Sequence, residues 1–346
     1  MTVVLLGICF GVFKITRSFV WWSKRIARYN FSEWQGKRVY RQTIKTMSEC
    51  RRQCSPRSFL FGREDPQKFA LPQARWPLLP GSFIAYRVII GLYQVAVFIT
   101  LLIKWGTPPL YSQIDVKAKW LIFISNWSFL VLTLYMIWAA FATCYWHMIG
   151  KKRSDDKHNN KEDIAMRNST ATETDLIDSE SVILIPQNTW YFKINWLLQV
   201  IACSAELAVT VLFWALEFNP MEGTVHFFNL SVHGLGAALV IIDFMLVANP
   251  FRLLHFIYPI LYAAVYFLFT YIYFVAGGLN PSGETHIYRG SIDWGTIPLM
   301  SLGVSAFAAF VGATLIHVFF FLLYLIKLSF AKCCGFCNNS FSDVYI

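Results

Sequence analysis

Six long apolar runs, separated by polar or turn-forming stretches, decide what this chain can become. They extend from about Phe83 to Lys104, Lys119 to Trp146, Trp190 to Phe218, Phe227 to Ala248, Leu254 to Gly277 and Gly295 to Leu328. About 20 apolar residues in a helix cross the hydrocarbon core of a bilayer, so each run is long enough to cross with some tilt. The expected fold is an all-α membrane protein, a bundle of six transmembrane helices. Composition agrees, because only 14% of the 346 residues are charged, against about 25% in a soluble globular chain.

Basic residues set the expected orientation. The amino-terminal arm, Lys151-Lys152-Arg153, Arg252, Lys327 and Lys332 fall on one side of an even-numbered bundle, whereas the loop from Asn219 to His226 has neither Lys nor Arg. The positive-inside rule then places both termini in the cytosol. Lys117 and Lys119 dissent, because they lie on the other side. The net charge of +10 is explained by this inner-leaflet pattern, and no nucleic-acid partner is expected.

Residues 1–80 form a basic arm expected to be cytosolic or interfacial, 81–330 the membrane domain, and 331–346 a cysteine-containing cytosolic tail. The segment TVVLLGICFGVF at 2–13 lacks the basic lead and cleavage site of a secretory signal, and reads as an interfacial helix with a seventh span as the alternative. Loop 149–189 is charged, long and poor in aromatics, which predicts cytosolic disorder. The sequons at Asn126, Asn168 and Asn229 read as chance matches, and Cys333, Cys334 and Cys337 suit acylation better than zinc. No metal or cofactor pattern is present. The lipid bilayer is the first partner, with a lipid ligand and cell-surface proteins as further ones.

Polar residues inside apolar runs need a reason to be there, because hydrocarbon penalises them. Asn229, His233, Gly236, Val240 and Asp243 share one broad helical face of the fourth run. In the third, Asn195, Gln199, Cys203, Glu206 and Thr210 recur every three or four residues and are expected to face the fourth. Ser125 and Asn126 lie at a depth comparable to His233, since the second and fourth runs cross in the same direction. Tyr258, Tyr262 and Tyr266 make a packing row, continued by Thr270, and the loop around Asn280-Pro281-Ser282-Gly283 is expected to cap the bundle from outside.

FISNW at Phe123 to Trp127, HGLGAALVIIDFML from His233, and YIYFVAGGLNP followed by IDWG together resemble the rolling stone proteins of insects and other invertebrates. That resemblance implies a multipass protein of the surface membrane linked to myoblast fusion. More distantly, the core is similar to the androgen-induced threonine hydrolases, membrane enzymes that cleave fatty acid esters of hydroxy fatty acids. Their histidine follows a Phe-Trp helix end in an Asn-x-x-x-His pattern, matched here by Phe213-Trp214 and Asn229 to His233. Their nucleophilic threonine stands in a Lys-aromatic-Leu-Thr-Phe segment, matched by Lys119 to Phe123 with Ile122 at the nucleophile position.

Isoleucine has no hydroxyl to acylate. Enzymatic activity therefore requires Ser125, almost one turn later, to act as nucleophile with His233 as base and Asn126 or Asn229 as orienting or oxyanion groups. The weightier reading is a non-catalytic protein that works through membrane contacts, with His233 and Asp243 fastening helices. A transporter or channel, suggested by Glu206 and Asp243, comes third.

Overall fold

A computed structural model describes residues 56–62, 64–73, 81–105, 117–150, 190–218 and 227–333. The amino-terminal arm up to residue 55, loop 151–189, the loop 219–226 and the tail beyond 333 lie outside the described residues. Six helices are long and apolar enough to cross a membrane: α1 Ser82–Lys104, α2 Ile124–Met148, α3 Trp190–Ala215, α4 Phe227–Leu246, α5 Leu253–Val275 and α6 Pro298–Leu328. The expected all-α membrane fold is the one observed.

The chain divides into two compact units. One comprises Met1–Leu60 with Arg252–His255; within it, the Arg252 guanidinium donates to the Leu60 carbonyl at 2.6 Å. The other comprises Phe61–Phe251 with Phe256–Ile346 and holds the bundle.

In the bundle, α3 packs most extensively on α2, and α1 packs on α2 as well. The centre is aromatic and small at once: Trp196, Phe192, Tyr135 and Phe129 are buried beside Ala139, Ala142 and Ala202. Small residues let helices approach where lipid supplies no hydrophobic drive between them. Outward faces carry exposed Ile, Leu, Val and Phe, such as Ile89, Leu134, Val265 and Leu315, which is what a lipid-facing surface requires.

Phe61–Gln73, the last described part before α1, packs against this bundle rather than lying free. Phe69 stacks on Phe192 at 5.3 Å, and Pro72 forms an antiparallel bridge with Val247 just past α4. The Leu71 carbonyl accepts from Ala248 and the Gln73 amide donates to Leu246.

At the opposite end, α5 and α6 are joined by a hairpin, β1 His286–Tyr288 and β2 Ile292–Asp293. It is the expected cap. The turn between the strands needs Gly290 at φ 75°, a conformation L side chains resist. Asp293 collects the Gly295 and Thr296 amides and the Thr285 and Thr296 hydroxyls, while its own amide donates to Ser301 in the first turn of α6. Trp294 donates to Thr270 of α5, and a Cβ at Gly295 would stand 2.9 Å from the Thr285 hydroxyl. The Asp-Trp-Gly segment is thus a fastening in which each residue has a mechanical reason.

Lys119 lies at this same end and donates to the Asn280 carbonyl at 2.9 Å. Asn280 in turn accepts the Ser282 and Glu284 amides, so the lysine that broke the charge pattern is a loop staple. The second run also starts differently from expectation. Lys117–Ile122 is a 3-10 turn, and the α-helix begins only at Ile124.

Candidate functional site

Beneath the hairpin is a cavity of about 400 Å³. Its walls come from Leu101 and Trp105 at the end of α1, Phe123 to Asn126 at the start of α2, Val209, Leu212 and Phe213 on α3, Phe228, Asn229, Val232 and His233 on α4, Tyr266 of α5 and Val304 of α6. Tyr288, Ser291 and Ile292 of the hairpin close it above. A buried apolar cluster of Val97, Leu101, Trp105, Trp120, Phe129 and Val232 backs one wall.

Three of the helices facing the cavity widen into a π-helical turn there: Phe213–Glu217, Ser231–Leu235 and Ala308–Gly312. Phe213, Val232, His233 and Ala308 on these turns line the cavity. A π turn inserts one residue into the helical ladder and re-aims side chains, and such turns recur at functional sites. Periodicity in the sequence does not reveal them, because one extra residue barely disturbs an apolar run.

His233 is gripped from two sides. Its ring stacks on Phe213 with centroids 3.7 Å apart and planes 8° from parallel, and its carbonyl accepts the Trp214 indole at 2.5 Å. Its Nδ1 is buried without a hydrogen-bond partner among the described residues. Ser125 and Asn229 line the same cavity, half-buried. No hydrogen bond joins Ser125 to His233; the Ser125 carbonyl accepts from Ser128 at 3.0 Å. The amide of Asn126 is already engaged, donating to the Trp120 carbonyl at 2.6 Å and locking the 3-10 turn to α2. Ile122 is buried and outside the cavity lining, and its carbonyl accepts the Tyr266 hydroxyl at 2.7 Å.

Glu206 and Asp243 do not join this cavity. Asp243 takes the Arg87 guanidinium at 2.6 Å, the Tyr135 hydroxyl at 2.6 Å and the Tyr86 hydroxyl at 3.0 Å. Both charges are buried, at 2% and 1% side-chain exposure. Four residues after Asp243 the helix has ended, and Lys327 reaches in from α6 to the Phe244 and Val247 carbonyls at 2.9 and 2.8 Å. Counted at sequence level as an edge-of-membrane cation, Lys327 is instead a buried cap on the negative end of α4.

Arg87, Tyr86 and Tyr135 were missed by sequence reasoning, although an arginine within an apolar run was itself a signal. A buried aspartate needs a counter-charge, and Arg87 was a cation inside an apolar run.

Glu206 has neither arrangement. It is fully buried, and neither carboxyl oxygen has a hydrogen-bond partner among the described residues. It sits against Gly236 of α4, where a Cβ would come within 2.6 Å of Oε2. The third run's polar stripe does turn inward: Gln199 accepts from Asn249 at 2.9 Å, and Asn195 and Cys203 are buried with it.

A family model described as Protein rolling stone matches residues 178–345, which carry Phe213, Asn229, His233 and Asp243. Over that stretch, just under half of its length, the chain is similar to the rolling stone family. It is similar to Protein rolling stone of Drosophila melanogaster, 26% identical over 214 residues, which is 61% of this chain and 66% of the relative, just under two thirds of its length. No solved structure matches. The matched stretch takes in the α4 face of the cavity and the hairpin, whereas Ser125, Asn126 and Arg87 lie outside its range.

Proposed function

We propose that this multipass membrane protein holds a lipid-class ligand beneath its hairpin and acts at the plasma membrane in cell–cell fusion of muscle precursors. The observation that carries the ligand is the 400 Å³ cavity, apolar over most of its wall with Ser125, Asn229 and His233 as polar points. Sites for apolar small molecules commonly combine such walls with a few orienting polar groups. Similarity to the rolling stone proteins supports the role in fusion, through contacts with the opposing membrane or with proteins on it. The distribution of Lys and Arg supports cytosolic termini.

The test is complementation in fusion-competent muscle cells lacking the endogenous protein. Wild type should restore multinucleate cells, and Val232→Trp, which fills the cavity, should not do so at equal surface level. Full rescue by the filled variant would remove the ligand from the mechanism, and no rescue by wild type would remove fusion.

A second reading has its own support, because Ser125 and His233 line one cavity. As a hydrolase, the Ser125 hydroxyl would attack an ester carbonyl while His233 takes its proton and returns it to the departing alcohol; water then releases the acid. Against it stand the missing Ser125–His233 hydrogen bond and a histidine with no third group orienting its Nδ1. Fluorophosphonate labelling lost in both Ser125→Ala and His233→Ala would favour it, and labelling unchanged in both would dispose of it.

A further inference from the structure

We infer that the cavity selects an uncharged amphiphile, whose head is a hydroxyl, ester or amide, over the same chain carrying an anionic head; this rests on the ligand-holding reading above. Among the described lining residues there is no Lys, Arg, Asp or Glu. Several of the polar groups are already committed to the fold. Asn126 donates to Trp120, Tyr266 to Ile122, and the Tyr288 hydroxyl accepts the Ile124 amide. Ser291 reaches the Tyr288 carbonyl only at 3.5 Å, so it, Ser125, Asn229 and His233 remain, and they offer hydrogen bonds of both senses without a formal positive charge to receive an anion.

The ground beneath the cavity points the same way. Val209, Ser125 and Val232 line the cavity on α3, α2 and α4. Three or four residues along those helices stand Glu206, Ser128 and Gly236, and Gly236 touches Glu206. Each step is about one helical turn, so the position of Glu206 on α3 and its contact with Gly236 on α4 both set the carboxyl one turn under the floor. An ionised Glu206 would repel an anionic head, and a neutral one would give it no counter-charge. Cations of the bundle are spent elsewhere, Arg87 on Asp243, Lys327 on the α4 carbonyls and, at the hairpin end, Lys119 on the Asn280 carbonyl. An anion entering here loses its hydration without a charge partner, whereas a neutral polar head loses far less.

The experiment uses full-length protein in an uncharged detergent with two photoreactive probes of identical chain and diazirine position. One is an alkylglycerol ether, which cannot be hydrolysed, and the other is the corresponding fatty acid. At neutral pH the ether should label the protein saturably, at least ~10-fold more than the acid. Acid labelling should rise as the pH falls and its carboxyl becomes neutral. Ser291→Lys, which adds an ammonium to the roof, should raise acid labelling at neutral pH. Equal labelling by both probes, or a preference for the acid, would overturn the selectivity while leaving the ligand reading intact. No saturable labelling by either probe would overturn both.

Discussion

Asp243 and His233 stand ten residues apart on α4, about 15 Å along its axis, and the molecule treats them in opposite ways. Around Asp243 the carboxylate is fully engaged: both oxygens are occupied, the guanidinium of Arg87 balances the charge through one nitrogen while its Nε and second Nη have no hydrogen-bond partner among the described residues, and Lys327 closes the helix end. Around His233 the helix widens into a π turn, one ring nitrogen has no partner, and a cavity opens. A buried carboxylate with both oxygens engaged and its counter-charge in contact fixes a fold, because any rearrangement strands a buried charge. A site with unspent hydrogen-bonding capacity is where a ligand can be received.

The sharpest way to break this contrast is to remove one partner at the saturated end. Arg87→Leu leaves Asp243 buried without its cation and should cost about 3–5 kcal/mol, read as a fall in melting temperature in detergent. Arg87→Leu with Asp243→Leu should be less destabilised than the two single variants predict by addition, since both charges then leave together. Additive losses would mean that the pair is not the fastening described.

Between the two ends lies Glu206, which shares the burial of one and the lack of partners of the other. Gly236→Ala should destabilise by about 1–3 kcal/mol through overpacking, because Glu206 has no exposed direction in which to retreat. Glu206→Ala in the same protein should recover most of that loss. Failure of this rescue would place the conflict at Leu132, 3.3 Å from the added carbon.

His233→Ala should cost less, about 0.5–1.5 kcal/mol for the lost stacking on Phe213, while abolishing saturable labelling by the ether probe. A variant as destabilised as Arg87→Leu would erase the distinction between the ends.

The sequence was legible where the physics is periodic and local. Membrane-length runs give the six helices directly, and their common direction of crossing puts Ser125 and His233 at one depth, where both meet the cavity. The separation of Asp243 from His233 followed from spacing alone. What stayed hidden depends on which helix lies beside which. Arg87 belongs to Asp243 because α1, α2 and α4 converge there, across 156 residues of chain. Lys327 looked topological because sequence records its position near a run's end, not the inward direction of its side chain. The π turns left no trace because they displace register by a single residue.

The smallest expected effect tests the roof rather than either end of α4. Burial alone would push the Asp293 carboxyl up, but the hydrogen bonds from Thr296, Thr285 and Gly295 outweigh it and hold the group below its ordinary value of 3.8. A carboxyl depressed on folding stabilises the folded state fully above its unfolded value, and that contribution fades as the pH falls through the lower folded value. The hairpin should therefore be insensitive to pH from neutrality down to about 4, and loosen only in stronger acid. Amide exchange at Gly295 and Thr296, measured by mass spectrometry, reads this locally. Asp293→Asn should raise exchange there at neutral pH and flatten its acid dependence, with the Asp243 end unchanged. Loosening that begins near neutral pH would show that a different group holds the roof over the cavity.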